Sequence, residues 1–362
     1  MCTCTAARVL LGTAVAAWLV KIVSAARDKD PASFLRRILG ARMLDEIILD
    51  NFKNRAEVCS YYRQTCFLDY WLLGKFFGDG VMHSILKAQN PAVAMQGGGT
   101  RQAVFVALEM PPAAALRVLE VGCGRGYCTH FLAGLFPDTK FHGMDMVECH
   151  IQEARRQGMK KNANVSFSVG NILDADEHLG FDMVFGCESL CHLGGCNEHQ
   201  GFDMVFGCES LCHLDSQESL DKFVGIVASR LLKGNGGRLV VMDGFRKDCT
   251  GSLSMCLAES GFRIRQMPSK SDWKDKCSLH GLRLVKDLDL TQEVIPFWEF
   301  GSRAARWILL LLFPHPLAVR LALFFKPQRF YSICNLVSMV SIAHCLKQGT
   351  AEYGMLVFEL AL

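Results

Sequence analysis

From Leu116 onward the chain alternates short apolar runs with longer stretches that carry a single apolar stripe. The runs are "LRVLEV", "TKFHGMDM", "NVSFSVGNI", "FDMVFGCES" and "GRLVVMDGF". Between them, "YCTHFLAGLFP", "VECHIQEARRQGMKKN" and "SLDKFVGIVASRLLKG" place apolar residues at helical spacing. Strands that alternate with helices of ~10–15 residues form βαβ units, so the expected fold class is α/β with a doubly wound, mostly parallel sheet. "YGMLVFELAL" near the C-terminus reads as an antiparallel last strand. Residues 27–110 form a helical, aromatic-rich region, and "QNPAVAMQGGGTRQ" breaks its pattern as a linker. Residues 111–247 form the α/β core. Residues 248–362 add a strand, "HGLRLVKDLDLT", and a very apolar helical stretch, "ARWILLLLFPHPLAVRLALFF".

One run occurs twice. "GFDMVFGCESLCHL" spans Gly180 to Leu193 and returns letter for letter from Gly201 to Leu214, an internal duplication over 180–214. Nothing else recurs with this period, which excludes a repeat array. The second copy leads into a helix whose apolar residues Leu220, Phe223, Val224 and Val227 need a sheet to pack on, with Asp215 or Ser216 as its cap. The first copy follows "DADEHLG", a loop with few apolar anchors, and lengthening a loop costs only ~0.6 kcal/mol per doubling. Gly201–Leu214 is therefore expected to supply the fourth strand, with residues 180–200 as a surface excursion.

Charge changes the picture little: 39 basic against 36 acidic side chains leave +3, which points to no nucleic-acid partner. Hydropathy changes it more. Half the residues are apolar and the mean hydropathy is +0.19, high for a purely soluble enzyme. Residues 1–26 contain an apolar run from Val9 to Val20 that fits a membrane anchor, a cleaved targeting peptide or a packing helix. Basic residues flank the apolar segment at 304–325, and Pro314 and Pro316 argue for a bent, interfacial second membrane contact there. The 17 cysteines are odd in number and irregularly spaced, as expected of reduced thiols. Cys187, Cys191 and His192 in "CESLCH" have no second half at ligand spacing, so no metal is expected.

"VLEVGCGRG" is the stretch richest in chemistry. An apolar strand ends in Gly122, Gly124 and Gly126, which let a backbone turn tightly, and the next helix offers its amides to an anion. Glu120 precedes the first glycine by two positions. The G-x-G-x-G spacing differs from the G-x-G-x-x-G of nicotinamide dinucleotide sites and disfavours an oxidoreductase. Asp145, about 20 residues on at the end of the second strand, is placed to accept both hydroxyls of a ribose.

With "GMDM", "VGNILDADEHLGFD" and "LLKGNGGRLVVMD", that stretch resembles the successive motifs of class I S-adenosylmethionine-dependent methyltransferases over residues 110–247. The resemblance implies a Rossmann-like sheet with S-adenosyl-L-methionine across its strand ends. It puts Glu120 and the three glycines near the methionine part, and Asp145 with Met146 at the ribose. Asn171, where the family often has Asp, would meet the adenine edge beside Ile172. "CESLCHL" is similar to the Glu and His of sterol and tocopherol methyltransferases. It implies Glu209 and His213, or their duplicates Glu188 and His192, as the catalytic pair, and the C-terminal helical region as an acceptor-binding lid.

The function expected is methyl transfer to carbon or oxygen of a small lipid-like acceptor, such as a sterol or prenylquinone, at an intracellular membrane of the endoplasmic reticulum or plastid. A non-catalytic S-adenosylmethionine-binding protein, its acceptor pocket blocked by the duplication, is the alternative.

Overall fold

The computed structural model describes residues 24, 28–53, 109–110, 115–158, 164–170, 180–187, 201–214, 216–234, 236–247, 251–312, 316, 319–320, 323 and 330–361. Its strands are β1 (Arg117–Val121), β2 (Lys140–Asp145), β3 (Val165–Val169), β4 (Met183–Cys187), β5 (Met204–Cys208), β6 (Arg238–Arg246), β7 (Leu282–Asp289) and β8 (Ala351–Leu360). The longer helices are α1 (Pro31–Leu39), α2 (Ala41–Lys53), α3 (Tyr127–Leu135), α4 (Glu148–Gly158), α5 (Gln217–Ile226), α6 (Leu253–Gly261), α7 (Lys270–Leu279), α8 (Thr291–Leu312) and α9 (Phe330–Gln348). They fall into two compact units. One comprises residues 1–67, 250–263 and 298–348, the other residues 68–249, 264–297 and 349–362.

The first unit is helical. Phe34, Leu35 and Ile38 of α1, Ile47 of α2, Leu257 of α6, Leu309 and Leu310 of α8 and Val337 of α9 close one apolar core. Among the described residues α9 is the one helix long and apolar enough to cross a membrane. Its buried residues, from Ile333 to Leu346, lie on all sides, as expected of a core helix. Asp30 caps α1 by accepting the Ser33 amide, and Arg306 donates to the Asp28 carbonyl while lying 4.5 Å above the Phe34 ring.

The second unit holds an eight-stranded sheet in the order β3-β2-β1-β4-β5-β6-β8-β7. All neighbours are parallel except β8, which runs antiparallel to both β6 and β7, as expected of the closing strand. The core between sheet and helices includes Leu119, Val184, Val205, Phe223, Val224, Leu239 and Trp273.

The duplication corrects one expectation. Residues 180–187 are no surface excursion: β4, from the first copy, lies inside the sheet between β1 and β5. Each of its residues faces its own duplicate, Met183 opposite Met204, Val184 opposite Val205, Phe185 opposite Phe206, Gly186 opposite Gly207 and Cys187 opposite Cys208. Residues 188–200 lie outside the described residues. The reason is burial. Inner strands of a parallel sheet are covered on both faces and need apolar residues on both. "MVFGC" meets that demand wherever it is placed, and Met183, Val184 and Phe185 are fully buried. Exposing them would forgo roughly 1.5–3 kcal/mol each, so burial decides the matter and the small cost of loop length does not.

The duplicate acids are accommodated as well. Asp182 accepts the Arg117 amide at 2.8 Å, and Lys233 reaches both carboxylates, Asp203 at 2.8 Å and Asp182 at 3.6 Å. The hydrogen bond to Asp203 is the main cause of the raised Lys233 pKa. Beyond β5 the chain follows the expected path: Ser216 caps α5 in a reciprocal box with Ser219, and Leu220, Phe223, Val224 and Val227 are buried.

Candidate functional site

The C-terminal ends of β1 and β2 form a cradle. Gly122, Gly124 and Gly126 all have left-handed backbones, with φ of +67°, +53° and +76°, a conformation costly for any residue with a Cβ. Gly126 also meets a packing limit: a Cβ there would lie 2.7 Å from the Phe167 ring and 3.1 Å from the Ala154 methyl. The turn is tied to β2 twice, through the Cys123 amide to the Met144 carbonyl and the Gly124 amide to the Asp145 carboxylate at 2.8 Å. The other Asp145 oxygen accepts the Val147 amide at 2.8 Å, with His150 Nδ1 at 3.6 Å. A carboxylate has about four acceptor sites, so Asp145 keeps capacity for the hydroxyls of a ligand.

Glu120 is buried and accepts the Thr129 hydroxyl, which pins the first turn of α3 to β1. Burial raises the Cys123 thiol pKa well above its usual value, and the charges of Glu120 and Asp145 add to the effect. The cradle is thus a negative environment suited to a cation. Met146 stands on the rim, 55 % exposed. Asn171 and Ile172 lie outside the described residues.

The second part of the site follows β5. Glu209 adopts φ +46°, a left-handed backbone in a residue with a Cβ, and its amide donates to the Met242 carbonyl at 2.9 Å. Ser210 is buried, and Leu211 folds back so closely that a Cβ on Gly207 would collide with it. Leu211, Cys212 and His213 then form a single 3₁₀ turn that leaves His213 partly buried.

The whole turn hangs on Asp243 of β6. Its carboxylate accepts the amides of Leu211 at 2.9 Å, Cys212 at 3.0 Å and Gly244 at 2.8 Å. Burial pushes the Asp243 carboxyl up to about 7, and the nearby Glu209 charge adds to this, while the three amides pull the other way. Sequence reasoning passed over this residue. Its signal was present: an acid inside the apolar run "LVVMDGF" must be buried, and a buried acid at a strand end is a functional candidate.

The structure therefore brings Glu120, the three glycines and Asp145 together at β1 and β2, and Glu209, Asp243 and His213 together at β5 and β6. It does not make the two groups neighbours. β4 stands between β1 and β5, so the strands that carry them lie roughly 9–10 Å apart instead of one spacing of about 4.8 Å. The duplicate pair Glu188 and His192 lies outside the described residues.

Comparison with known proteins agrees with this geometry. Residues 112–248 match the family model described as a methyltransferase domain. No curated protein sequence matches the chain. Among solved structures, the chain resembles geranyl diphosphate C-methyltransferase from Streptomyces coelicolor A3(2), solved with Mg2+, geranyl-S-thiolodiphosphate and S-adenosyl-L-homocysteine. Identity is 15 %, the TM-score is 0.51, and 89 % of this chain and 99 % of that one are covered. It also resembles the cyclopropane synthase MmaA2 from Mycobacterium tuberculosis, at 9 % identity and TM-score 0.54, covering 87 % of this chain and 98 % of that one. The (4+2)-cyclase SpnF matches at 14 % identity and TM-score 0.54, covering 83 % of this chain and 94 % of that one. At such identities the likeness speaks for the fold, and function is argued from the site.

Proposed function

We propose that the chain, whose residues 112–248 match the methyltransferase-domain family model and whose sheet is Rossmann-like, transfers a methyl group from S-adenosylmethionine to carbon or oxygen of a small apolar acceptor. The observation that carries the proposal is the cradle, where a left-handed glycine turn is hydrogen-bonded to Asp145 beside the carboxylate of Glu120. Both features fit the cofactor: Asp145 retains acceptor sites for ribose hydroxyls, and the negative environment suits a sulfonium. When bound, S-adenosylmethionine supplies an already activated methyl group. The work left to the chain is placement, exclusion of water and management of the charge that develops on the acceptor.

Glu209 serves that last task if the acceptor is a ring or alkene carbon, because its carboxylate offsets a developing cation, while Asp243 holds the turn that carries it. If the acceptor is a hydroxyl, His213 takes its proton. A lipid-like acceptor of the sterol or prenylquinone type is supported by "CESLCHL" and by relatives named for geranyl diphosphate and cyclopropane chemistry. Membrane contact through residues 1–26 and 304–325 accords with this. On α8, Arg303, Trp307 and Leu311 follow one another every four residues and are all exposed, Trp307 at 55 % and Leu311 at 67 %. The setting proposed is an intracellular membrane of the endoplasmic reticulum or plastid.

One observation favours a second reading. With β4 inserted, the Glu209–His213 turn lies one strand farther from the cradle than a single copy would place it, as expected of a protein that binds the cofactor without using it. The test is calorimetric titration with S-adenosylmethionine, followed by transfer from methyl-labelled S-adenosylmethionine into a lipid extract. Binding with label in the lipid fraction supports the enzyme. Binding without label supports the second reading, and no binding overturns both.

A further inference from the structure

The helical unit contains an open groove of about 620 Å3 that the methyl-transfer reading does not use. Its lining includes Arg36 and Arg37 of α1, Asp30 at the cap of that helix, Leu253 and Ser254 at the start of α6, and His344 of α9. Helix α6 begins at the groove. Its cap Ser252 accepts the Met255 amide at 3.2 Å, but the amides of Leu253 and Ser254, the first two of the helix, have no partner within it. The helix dipole adds partial positive charge at the same point.

A helix start is not in itself a binding site. Ser254 supplies the second observation. This serine lines the groove, is only 8 % exposed, and its hydroxyl makes no hydrogen bond among the described residues. Its hydroxyl is open to the groove, so it is free to hydrogen-bond a partner from outside the chain.

The other groups in the groove define that partner. Asp30 already accepts the Ser33 amide at 2.8 Å. Arg37 is held by the Ser24 hydroxyl at 2.9 Å and by Asp28 at 3.5 Å. Arg36 is exposed and forms no ion pair among the described residues, so its guanidinium is available. His344 is held below its usual pKa, chiefly by burial and further by Arg306 and Lys347, with Asp30 opposing, and as a neutral ring it offers one more N–H.

We propose that this groove binds the phosphate group of a phosphate ester, with the Leu253 and Ser254 amides, the Ser254 hydroxyl and the Arg36 guanidinium as donors. Donors from a helix start and a guanidinium suit the higher negative charge and the three oxygens of a phosphate ester better than the single charge of a carboxylate. The ester is either a phospholipid headgroup or a soluble metabolite; the recognition chemistry is the same for both. The proposal is independent of methyl transfer, since its readout is binding alone.

The full chain is titrated with glycerol 3-phosphate by calorimetry, and sedimented with phosphatidylcholine vesicles with and without phosphatidic acid. Ser254→Asp places a carboxylate in the first turn of α6, which suits the helix dipole and repels an incoming anion. Arg36→Ala changes an exposed side chain. Binding should be lost in Ser254→Asp and weakened about tenfold in Arg36→Ala, with thermal unfolding unchanged in Arg36→Ala, so that this exposed variant decides the test if the new carboxylate of Ser254→Asp lowers stability. Such losses toward glycerol 3-phosphate identify a soluble ester, and losses confined to phosphatidic acid vesicles identify a lipid. The proposal is overturned if neither probe binds, or if every affinity stays within about twofold in both variants.

Discussion

The cradle at β1 and β2 and the duplicated pair β4 and β5 lie side by side in one sheet and are built on opposite terms. In the cradle nearly every residue is tied to one partner: Gly124 to Asp145, Glu120 to Thr129, and Gly126 against Phe167. There the order of residues defines the structure. In β4 and β5, identical residues face each other across a parallel register, so one sequence satisfies two adjacent slots. The first arrangement is specific because its contacts are polar and directional. The second is tolerant because its contacts are apolar and depend on burial alone.

The largest effect expected tests whether β4 is a working strand. Val184→Asp and Val205→Asp each bury an unpaired carboxylate at a fully buried position, and each should cost about 3 kcal/mol or more in chemical denaturation. A spare first copy would make Val184→Asp nearly silent, and the contrast drawn above would collapse.

Asp243 gives a pH signature that belongs to the duplicated side alone. Its carboxyl titrates near 7 in the folded state against 3.8 ordinarily, so between those values the folded chain holds a proton that the unfolded chain has lost. The stabilisation from this proton is complete below about pH 4 and disappears as the pH rises through 7, an effect on the order of a few kcal/mol. Relative to the parent, Asp243→Asn should lose a contribution to the denaturation midpoint that falls as the pH rises across that range, so the two slopes should differ. An unchanged slope in the variant would remove Asp243 as its source.

Asp145→Ala sharpens the cradle side. The turn loses its hold on Gly124 and the ligand loses its acceptor, so the affinity for S-adenosylmethionine should fall by about 1.5–3 kcal/mol, read by calorimetry. Equal affinity in the variant would move the ribose contact elsewhere.

The smallest effect is expected from the most drastic change. Deleting residues 180–200 leaves one complete "GFDMVFGCESLCHL" to pair with both β1 and β6, so the protein should stay folded and bind S-adenosylmethionine within about twofold of the parent. Unfolding of the deletion variant would show that the neighbours of β4 and β5 have adapted to two copies.

Much of the fold was legible in the sequence because it depends on neighbours along the chain. Strand and helix periodicity, the Gly122–Gly126 turn, its distance to Asp145, and the Ser216 cap are all properties of short stretches. The placement of β4 was not legible, because the choice between loop and strand turns on how much apolar surface the assembled sheet can bury. Asp243 became a site residue only when folding set β6 beside the turn after β5, where its carboxylate meets amides 31 and 32 positions away in the chain. The helical unit likewise gathers residues 31–53, 251–263 and 298–348 into one core, although no local pattern links them. Sequence by itself determined the elements and the cofactor turn, whose interactions are local and directional. The tertiary structure alone decided which strand adjoins which, since burial rewards any apolar strand and only the packed sheet limits where it fits.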